Sequence, residues 1–362
     1  MKKRKAASPA TTTTAKTEES PESVNPGDTP TSTAAAPSAG GRPPRVRIQR
    51  RAVHGVLLLD KPLGLSSNDA LQKAKWLLRA EKAGHTGTLD PLATGLLPLC
   101  FGAATKFSQV SLDSDKRYTA TLQLGQTTIT GDAEGEVVET REVSVTPEQV
   151  LSACAAHSGP IEQLPPMHSA LKHEGKALYE YARQGIEIDR QPRAVTIHSI
   201  TVLDWQGSLL VLDVHCSKGT YIRTLAEDIG RMLGCGAHLA ALRRTASGPL
   251  SVEQAITLEQ LTVLTEPQRE AQLQPPDRLL AEWPEVRLEA DDAGRFLSGL
   301  RRRLKGAADT PNVRVYGPEA RALLGSGSIR ANELIPGRLL SPLEVASLLP
   351  AESAKESQRE TV

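Results

Sequence analysis

Hydrophobic positions recur along this 362-residue chain with a period that changes from segment to segment. From Val53 the stretch VHGVLLLDKP holds a nearly unbroken apolar run until Pro62 and Gly64, which predicts a buried strand ended by a turn. SSNDALQKAKWLLRA instead spaces Ala70, Leu71, Ala74, Leu77 and Leu78 as one face of a helix, with Ser66 or Ser67 as its cap. In RYTATLQLG the residues Tyr118, Ala120, Leu122 and Leu124 alternate with their neighbours, the period of a strand with one face inward. TPEQVLSACAAH opens a second helix with a capping box of Thr146 and Gln149 and with Pro147 at the first helical position. LPPMHSALKHEGKALYEYARQG then reads as a Pro-initiated loop and a short helix ending at Gly185. AVTIHSITVLDW and SLLVLDVHC read as strands, and GTYIRTLAEDIGRMLG as a helix.

The pattern changes at both ends. Residues 1 to 50 are Thr, Ser, Ala, Pro and Gly with almost no large apolar side chain, too little to offset the entropy of ordering, so a disordered tail is expected there. From about Trp283 the pieces EVRLEA, NVRVYG and GRLLSP alternate with Gly and Pro turns, which predicts a small β domain. Between these limits strands and helices mix without the regular alternation of a doubly wound sheet, so the expected class is α+β. No internal repeat is detectable.

Composition narrows the function. The chain is 39% hydrophobic, enough for one core and a small second domain, and only 3% aromatic, which argues against a large aromatic-rich binding surface. Its net charge of +1 is uneven: nine basic against four acidic residues before residue 51 leave 34 against 38 in the rest. Any polyanion site in the folded part is therefore a local patch. Cys100, Cys154, Cys216 and Cys235 never approach C-x-x-C spacing, so neither a disulfide framework nor a structural zinc site is expected. AASPATTTTAKTEES follows MKKRK where an export signal needs an apolar stretch, and no run of 18 apolar residues occurs. An unexported protein of the reducing cytoplasm, without membrane contact, is the expectation.

Two stretches carry candidate chemistry. In GHTGTLDPLATGLLPLC the carboxylate of Asp90 stands alone between a turn and an apolar run. Pro91 biases it toward extended backbone, and the glycines at 84, 87 and 95 let the chain turn around it. An Asx turn or helix cap ahead of LATGLL explains such a residue as well as a chemical role does. GHTG lacks the Lys-Ser/Thr ending of a phosphate loop, and His85 has no second ligand at metal spacing. In CSKGTYIRTLAEDIG, Arg223 falls at the start of a helix, where the dipole disfavours a cation unless an anion compensates. Glu227, four residues on, is the ordinary partner; a carboxylate or RNA phosphate elsewhere is the other.

VLLLDKPLGLSSNDA, AGHTGTLDPLATGLLPLCFGAATKFSQ, DSDKRYTATLQLGQTT, HSALKHEGKALYEYARQGIE and CSKGTYIRTLAEDIG occur in this order. Together they closely resemble the bacterial tRNA pseudouridine synthases of the TruB type, which modify uridine 55 in the T loop. The likeness is dense from about His54 to Leu261. P-L-A-T-G and Y-E-Y-A-R-Q-G look like the stand-alone bacterial branch rather than the guide-dependent archaeal and eukaryotic relatives. Beyond about residue 278 the likeness thins, and position and strand-rich pattern suggest a PUA-like RNA-binding domain.

The resemblance implies a mixed, mainly antiparallel central sheet in a catalytic domain at 51–277 with an RNA-binding insertion at 165–190. A β-rich PUA-like domain follows at 278–350, with flexible tails at 1–50 and 351–362. It makes Asp90 the catalytic nucleophile, held by Arg223 in a desolvated pocket, and Tyr118 the ring that stacks on a flipped uracil. It assigns His85, Tyr221, Leu242 and Lys61 to the substrate, with His85 helping to displace the target base. Lys172, Lys176 and Arg183 of the insertion supply the basic patch that closes over the T arm. No metal or organic cofactor is implied. The expected partner is tRNA, bound by a monomer that needs no protein partner and has a tRNA-folding role alongside catalysis.

Overall fold

Residues 49–318 and 322–349 are described by a computed structural model; the two predicted tails fall almost wholly outside them. The apolar run beginning at Val53 forms the strand Gly55–Lys61, and its continuity has a physical cause. Leu57 and Leu59 point into one core while Val56 and Leu58 point into another. A strand buried on both faces has no polar alternation to show. The same holds for its antiparallel neighbour Ala93–Phe101, whose Leu97 and Leu99 face the first core and whose Leu96 and Cys100 face the second. LATGLL is therefore strand rather than helix, and Asp90 caps nothing: its carbonyl accepts from the Ala93 amide at 3.0 Å in a tight turn.

Eight of the ten strands of the main sheet run in the order Ile256–Thr257, Gly55–Lys61, Ala93–Phe101, Ala237–Ser247, Lys116–Leu124, Leu209–Cys216, Arg193–Gln206, Gly159–Gln163. Gly55–Lys61 pairs parallel with Ile256–Thr257, and Ala93–Phe101 parallel with Ala237–Ser247; the other pairings along this path are antiparallel. This is the mixed, mainly antiparallel sheet of an α+β fold. Ala237–Ser247 sits at its centre although its sequence does not read as a strand, because register shifts after Leu239 and Arg244 break the period-two pattern.

The helices cover the sheet as their stripes require. Ser67–Leu77, capped by the Ser66 side chain, buries Ala70, Leu71, Ala74 and Leu77. Pro147–Ala156 carries the expected capping box and packs with Ile222–Met232 against Ala120, Leu122, Leu124 and Val214. The insertion after Gly159–Gln163 differs from its reading: a two-residue hairpin, Lys172–His173 with Lys176–Ala177, precedes the short helix Leu178–Ala182.

Beyond Trp283 the predicted pieces become part of a five-stranded sheet ordered Glu285–Arg287, Thr310–Tyr316, Leu323–Arg330, Glu333–Leu339, Arg302–Arg303. Besides its own small core, this sheet shares one with the main sheet: Leu279, Leu280, Tyr316, Leu323 and Leu340 cluster with Val56, Leu58, Leu96, Cys100 and Phe107. The Tyr316 hydroxyl donates to Asp277 at 2.6 Å, and Lys106 meets Glu344 at 2.6 Å. All four cysteines are free and buried. Among the described residues no helix is long and apolar enough to cross a membrane.

Candidate active site

Asp90 is presented by a turn that other residues hold in place. Gly87 adopts φ +90°, where a side chain would be strained, and a Cβ there would press on the Arg244 guanidinium. Buried Ser67 donates to the Leu89 carbonyl at 2.9 Å and accepts from the Leu89 amide at 2.7 Å, clamping both polar groups of the neighbouring residue. The Leu89 side chain is buried in the core beneath. With its backbone bonded within the turn, the Asp90 carboxylate is free for other partners. Of the three glycines read as turn-formers, Gly95 lies inside the strand Ala93–Phe101, where a Cβ would collide with the Arg244 backbone; it permits close strand approach.

Arg223 reaches Asp90 from the other side of the cleft. It sits in the first turn of Ile222–Met232, and the backbone of Tyr221 before it is held at both ends by buried Gln163, through bonds of 3.0 and 3.2 Å. Arg223 Nη2 lies 3.0 Å from Asp90 Oδ2 and Nη1 lies 3.4 Å from Asp132 Oδ2; Glu227 is not among its ion-pair partners. Nη1 also donates to the Thr130 carbonyl at 3.2 Å and Nη2 to that of His168 at 2.6 Å. The guanidinium is thus shared among four acceptors rather than committed bidentately to Asp90. Two carboxylates answer the unfavourable position of this cation at the positive end of the helix. The arginine is 8% exposed and Asp90 48%, so the carboxylate meets water, unlike the desolvated group expected.

A cavity of about 390 Å³ opens beside the pair. Asp90, Tyr118, Tyr221, Arg223 and Leu242 all line it, drawn from a turn, two strands and a helix start. Ser169, Ala170 and Leu171 of the insertion form part of its wall. Burial raises the Tyr118 phenol above its ordinary range, so it stays protonated at neutral pH.

Other predicted residues lie elsewhere. The Lys61 side chain does not line the cavity: it is fully buried and donates to the carbonyls of Pro62 and Leu65, at 2.9 and 2.6 Å. Burial lowers its pKa to about 8, opposed by the charge of Asp90. His85 lies off the cavity on Ala83–His85, its Nδ1 buried without a partner; burial, with Arg244 nearby, holds its pKa below the usual value. Lys172, Lys176 and Arg183 are on the insertion, outside the cavity wall. Lys176 lies 6.0 Å from the Tyr181 ring centroid, and Arg183 5.3 Å from that of Tyr179.

Relatives decide what this arrangement belongs to. The chain is 58% identical over 320 residues to a protein of Verminephrobacter eiseniae named tRNA pseudouridine synthase B, covering 86% of this chain and 96% of that one. It is 57% identical to a protein of the same name from Cupriavidus metallidurans, covering 84% and 98%. Three family patterns follow one another along it: TruB family pseudouridylate synthase (N terminal domain) at 75–222, tRNA pseudouridylate synthase B C-terminal domain at 223–281, and Pseudouridine synthase II TruB, C-terminal, at 284–340. The chain belongs to the TruB family. Family members are pseudouridine synthases, enzymes of the isomerase class. The fold agrees with the archaeal box H/ACA sRNP Nop10-Cbf5 complex, at 24% identity, TM-score 0.60 and coverage of 84% of this chain and 90% of that one. For a Cbf5-Nop10-Gar1 complex the values are 26%, 0.62, 85% and 92%.

Asp132 and Arg244 had escaped the sequence reading of this TruB family site. Asp132 is buried and, in TGDAEG, looks like any turn residue. Arg244 is 1% exposed, lines the cavity, and donates to the Leu96 and Gly87 carbonyls at 2.7 and 3.0 Å. Among the described residues it has no carboxylate within ion-pair distance. Its signal was period two: in ALRRTAS, Leu242 and Arg244 share a strand face.

Proposed function

We propose that this chain converts uridine 55 in the T loop of tRNAs to pseudouridine, with Asp90 as nucleophile. The observation that carries the reading is the Asp90–Arg223 ion pair, 3.0 Å long, at the wall of a cavity of about 390 Å³ that Tyr118 also lines. Relatives named tRNA pseudouridine synthase B, at 57–58% identity and almost full length, support tRNA as the substrate. The reaction is an isomerisation. The N1–C1′ bond breaks, the uracil turns, C5 bonds to C1′, and the C5 proton is replaced by one gained at N1.

A uridine in a folded arm is stacked, so it must be extruded before any group reaches it. Tyr118 offers a ring for the flipped base to stack on, and Tyr221 and Leu242 close the sides. His85, neutral at pH 7, helps displace the base. Asp90 meets the charge that develops as the glycosidic bond breaks, as a carboxylate does in a retaining glycosidase. Arg223 holds that carboxylate in place through the 3.0 Å ion pair, and bound uracil would exclude the water that reaches it. Lys172, Lys176 and Arg183 grip phosphates of the T arm, and the five-stranded sheet adds a PUA-like contact surface. The enzyme works as a single cytoplasmic chain without cofactor, and its opening of the T arm gives it a tRNA-folding role alongside catalysis.

The test is incubation of purified protein with an unmodified tRNA transcript, followed by mapping of pseudouridine. Modification at position 55 with no added protein or guide RNA is expected. No pseudouridine, or pseudouridine only when a guide RNA is supplied, would overturn the proposal.

A further inference from the structure

Beside the cavity, three adjacent strands of the main sheet bring two histidines and an aspartate together. Asp115 directly precedes Lys116–Leu124, His215 lies near the end of Leu209–Cys216, and His198 lies early in Arg193–Gln206. The pairing jumps from Ile197–Cys216 to Ser199–His215, so His198 is the extra residue of a bulge. A bulge re-aims a side chain, and this one brings the His198 ring to 4.7 Å from that of His215, tilted by 45°. His198 Nε2 lies 3.0 Å from Asp115 Oδ2, and one donor atom from each residue falls within 4.8 Å of the other two.

We infer that Asp115, His198 and His215 form a solvent-open site for a divalent transition-metal ion of the zinc type. Tetrahedral zinc with bonds of about 2.0–2.1 Å needs donors roughly 3.3 Å apart, which small rotations of these side chains supply. Two imidazoles and one carboxylate suit zinc, cobalt or nickel and not magnesium or calcium, which take oxygen ligands. His198 and Asp115 are 36% and 47% exposed, leaving a coordination position for water.

The surrounding cations are already engaged. Arg117 is paired with Asp213 and Lys218 with Asp113, while the Lys116 ammonium turns inward to the carbonyls of Ser111, Leu112 and Ser114. Repulsion at the metal is correspondingly reduced. The ion would tie three strands together at the rim of the cavity, which Lys116 and Ser217, neighbours of the ligands, both line.

The experiment uses the untagged full-length chain stripped with chelator. Cobalt(II) is titrated in while its visible absorption is followed, and the shift in melting temperature with zinc is measured in parallel. Saturation near one equivalent and a zinc-dependent rise in melting temperature are expected. His198→Ala and Asp115→Asn, both on the surface, should weaken binding at least about tenfold, since even groups behind the ligands matter that much. His157→Ala, whose ring bonds the Ala153 carbonyl elsewhere, should bind like the parent. Non-saturating binding by the parent chain, or unchanged affinity in both ligand variants, would overturn the inference.

Discussion

Arg223 holds two carboxylates and two carbonyls with two nitrogens, and this separates it from a lysine of the same charge. A single ammonium cannot span the Nη1 and Nη2 partners together, so Arg223→Lys keeps a positive charge near Asp90 but misaims the carboxylate. The single-turnover rate is expected to fall by about a hundredfold, the scale of a misplaced catalytic group, with the tRNA dissociation constant nearly unchanged; chemistry within a fewfold of normal would return Arg223 to a structural role. Lys61 gives a pH signature. Its pKa is lowered from 10.5 to about 8, so between these values the unfolded chain carries a proton that the folded chain has released. Stability contributed at this residue therefore rises with pH across that window, and the cost of a dry ammonium is fully present below about pH 8. In thermal melts at pH 7.5 to 10, the stability of the parent relative to Lys61→Met should climb with pH; a flat difference would mean that the ammonium is not desolvated. At this scale physical chemistry raised the right question at Arg223, and the resemblance named its partner Asp90. Asp132 lies 91 residues before Arg223 in sequence, and no local pattern joins them.

Elements with one buried face were legible: Ser67–Leu77, Lys116–Leu124 and Pro147–Ala156 all follow their apolar spacing, and the caps fix where two of them start. The strands Ala93–Phe101 and Ala237–Ser247 were not. The first is buried on both faces, and in the second the bulges leave a period of two only over Ala241–Arg244, too short to read as a strand. Both flank the site, which explains why Arg244 was hidden. The insertion 165–190 was placed by resemblance, and its hairpin of two-residue strands is too short to leave a pattern. Replacing Lys172, Lys176 and Arg183 by alanine together should weaken tRNA binding and flatten its salt dependence by about one unit of slope for each phosphate that is no longer neutralised. Single-turnover chemistry at saturating enzyme should stay close to normal. An unchanged salt slope in filter-binding measurements would take RNA binding away from this insertion.

At the scale of the whole chain, the change of pattern near Trp283 marks a second sheet but no break in packing. Leu279, Leu280, Tyr316, Leu323 and Leu340 are buried with residues of the main sheet, and five such side chains at roughly 1.5–3 kcal/mol each amount to about 10 kcal/mol. That is comparable to the whole stability of a typical domain, about 5–15 kcal/mol. Truncation after Asp277 is therefore expected to abolish cooperative thermal unfolding and to lose binding and chemistry together. A truncated chain that melts sharply and keeps its single-turnover rate would show instead that the C-terminal sheet is a separable RNA-binding module.

In the proposed mechanism the Asp90 carboxylate does the chemistry while other groups do the binding. Asp90→Asn keeps the size and shape of the side chain while removing its charge and exchanging one acceptor oxygen for an NH2 donor, and the turn that presents it is held by Ser67 and the backbone. Single-turnover pseudouridine formation at position 55, with enzyme in excess over tRNA and the dissociation constant measured on the same preparation, tests this most directly. Asp90→Asn is expected to give no detectable pseudouridine with tRNA affinity within about a factor of three of the parent, since affinity rests on phosphate contacts and stacking. Pseudouridine accumulating in that variant at a substantial fraction of the parent rate would contradict the mechanism.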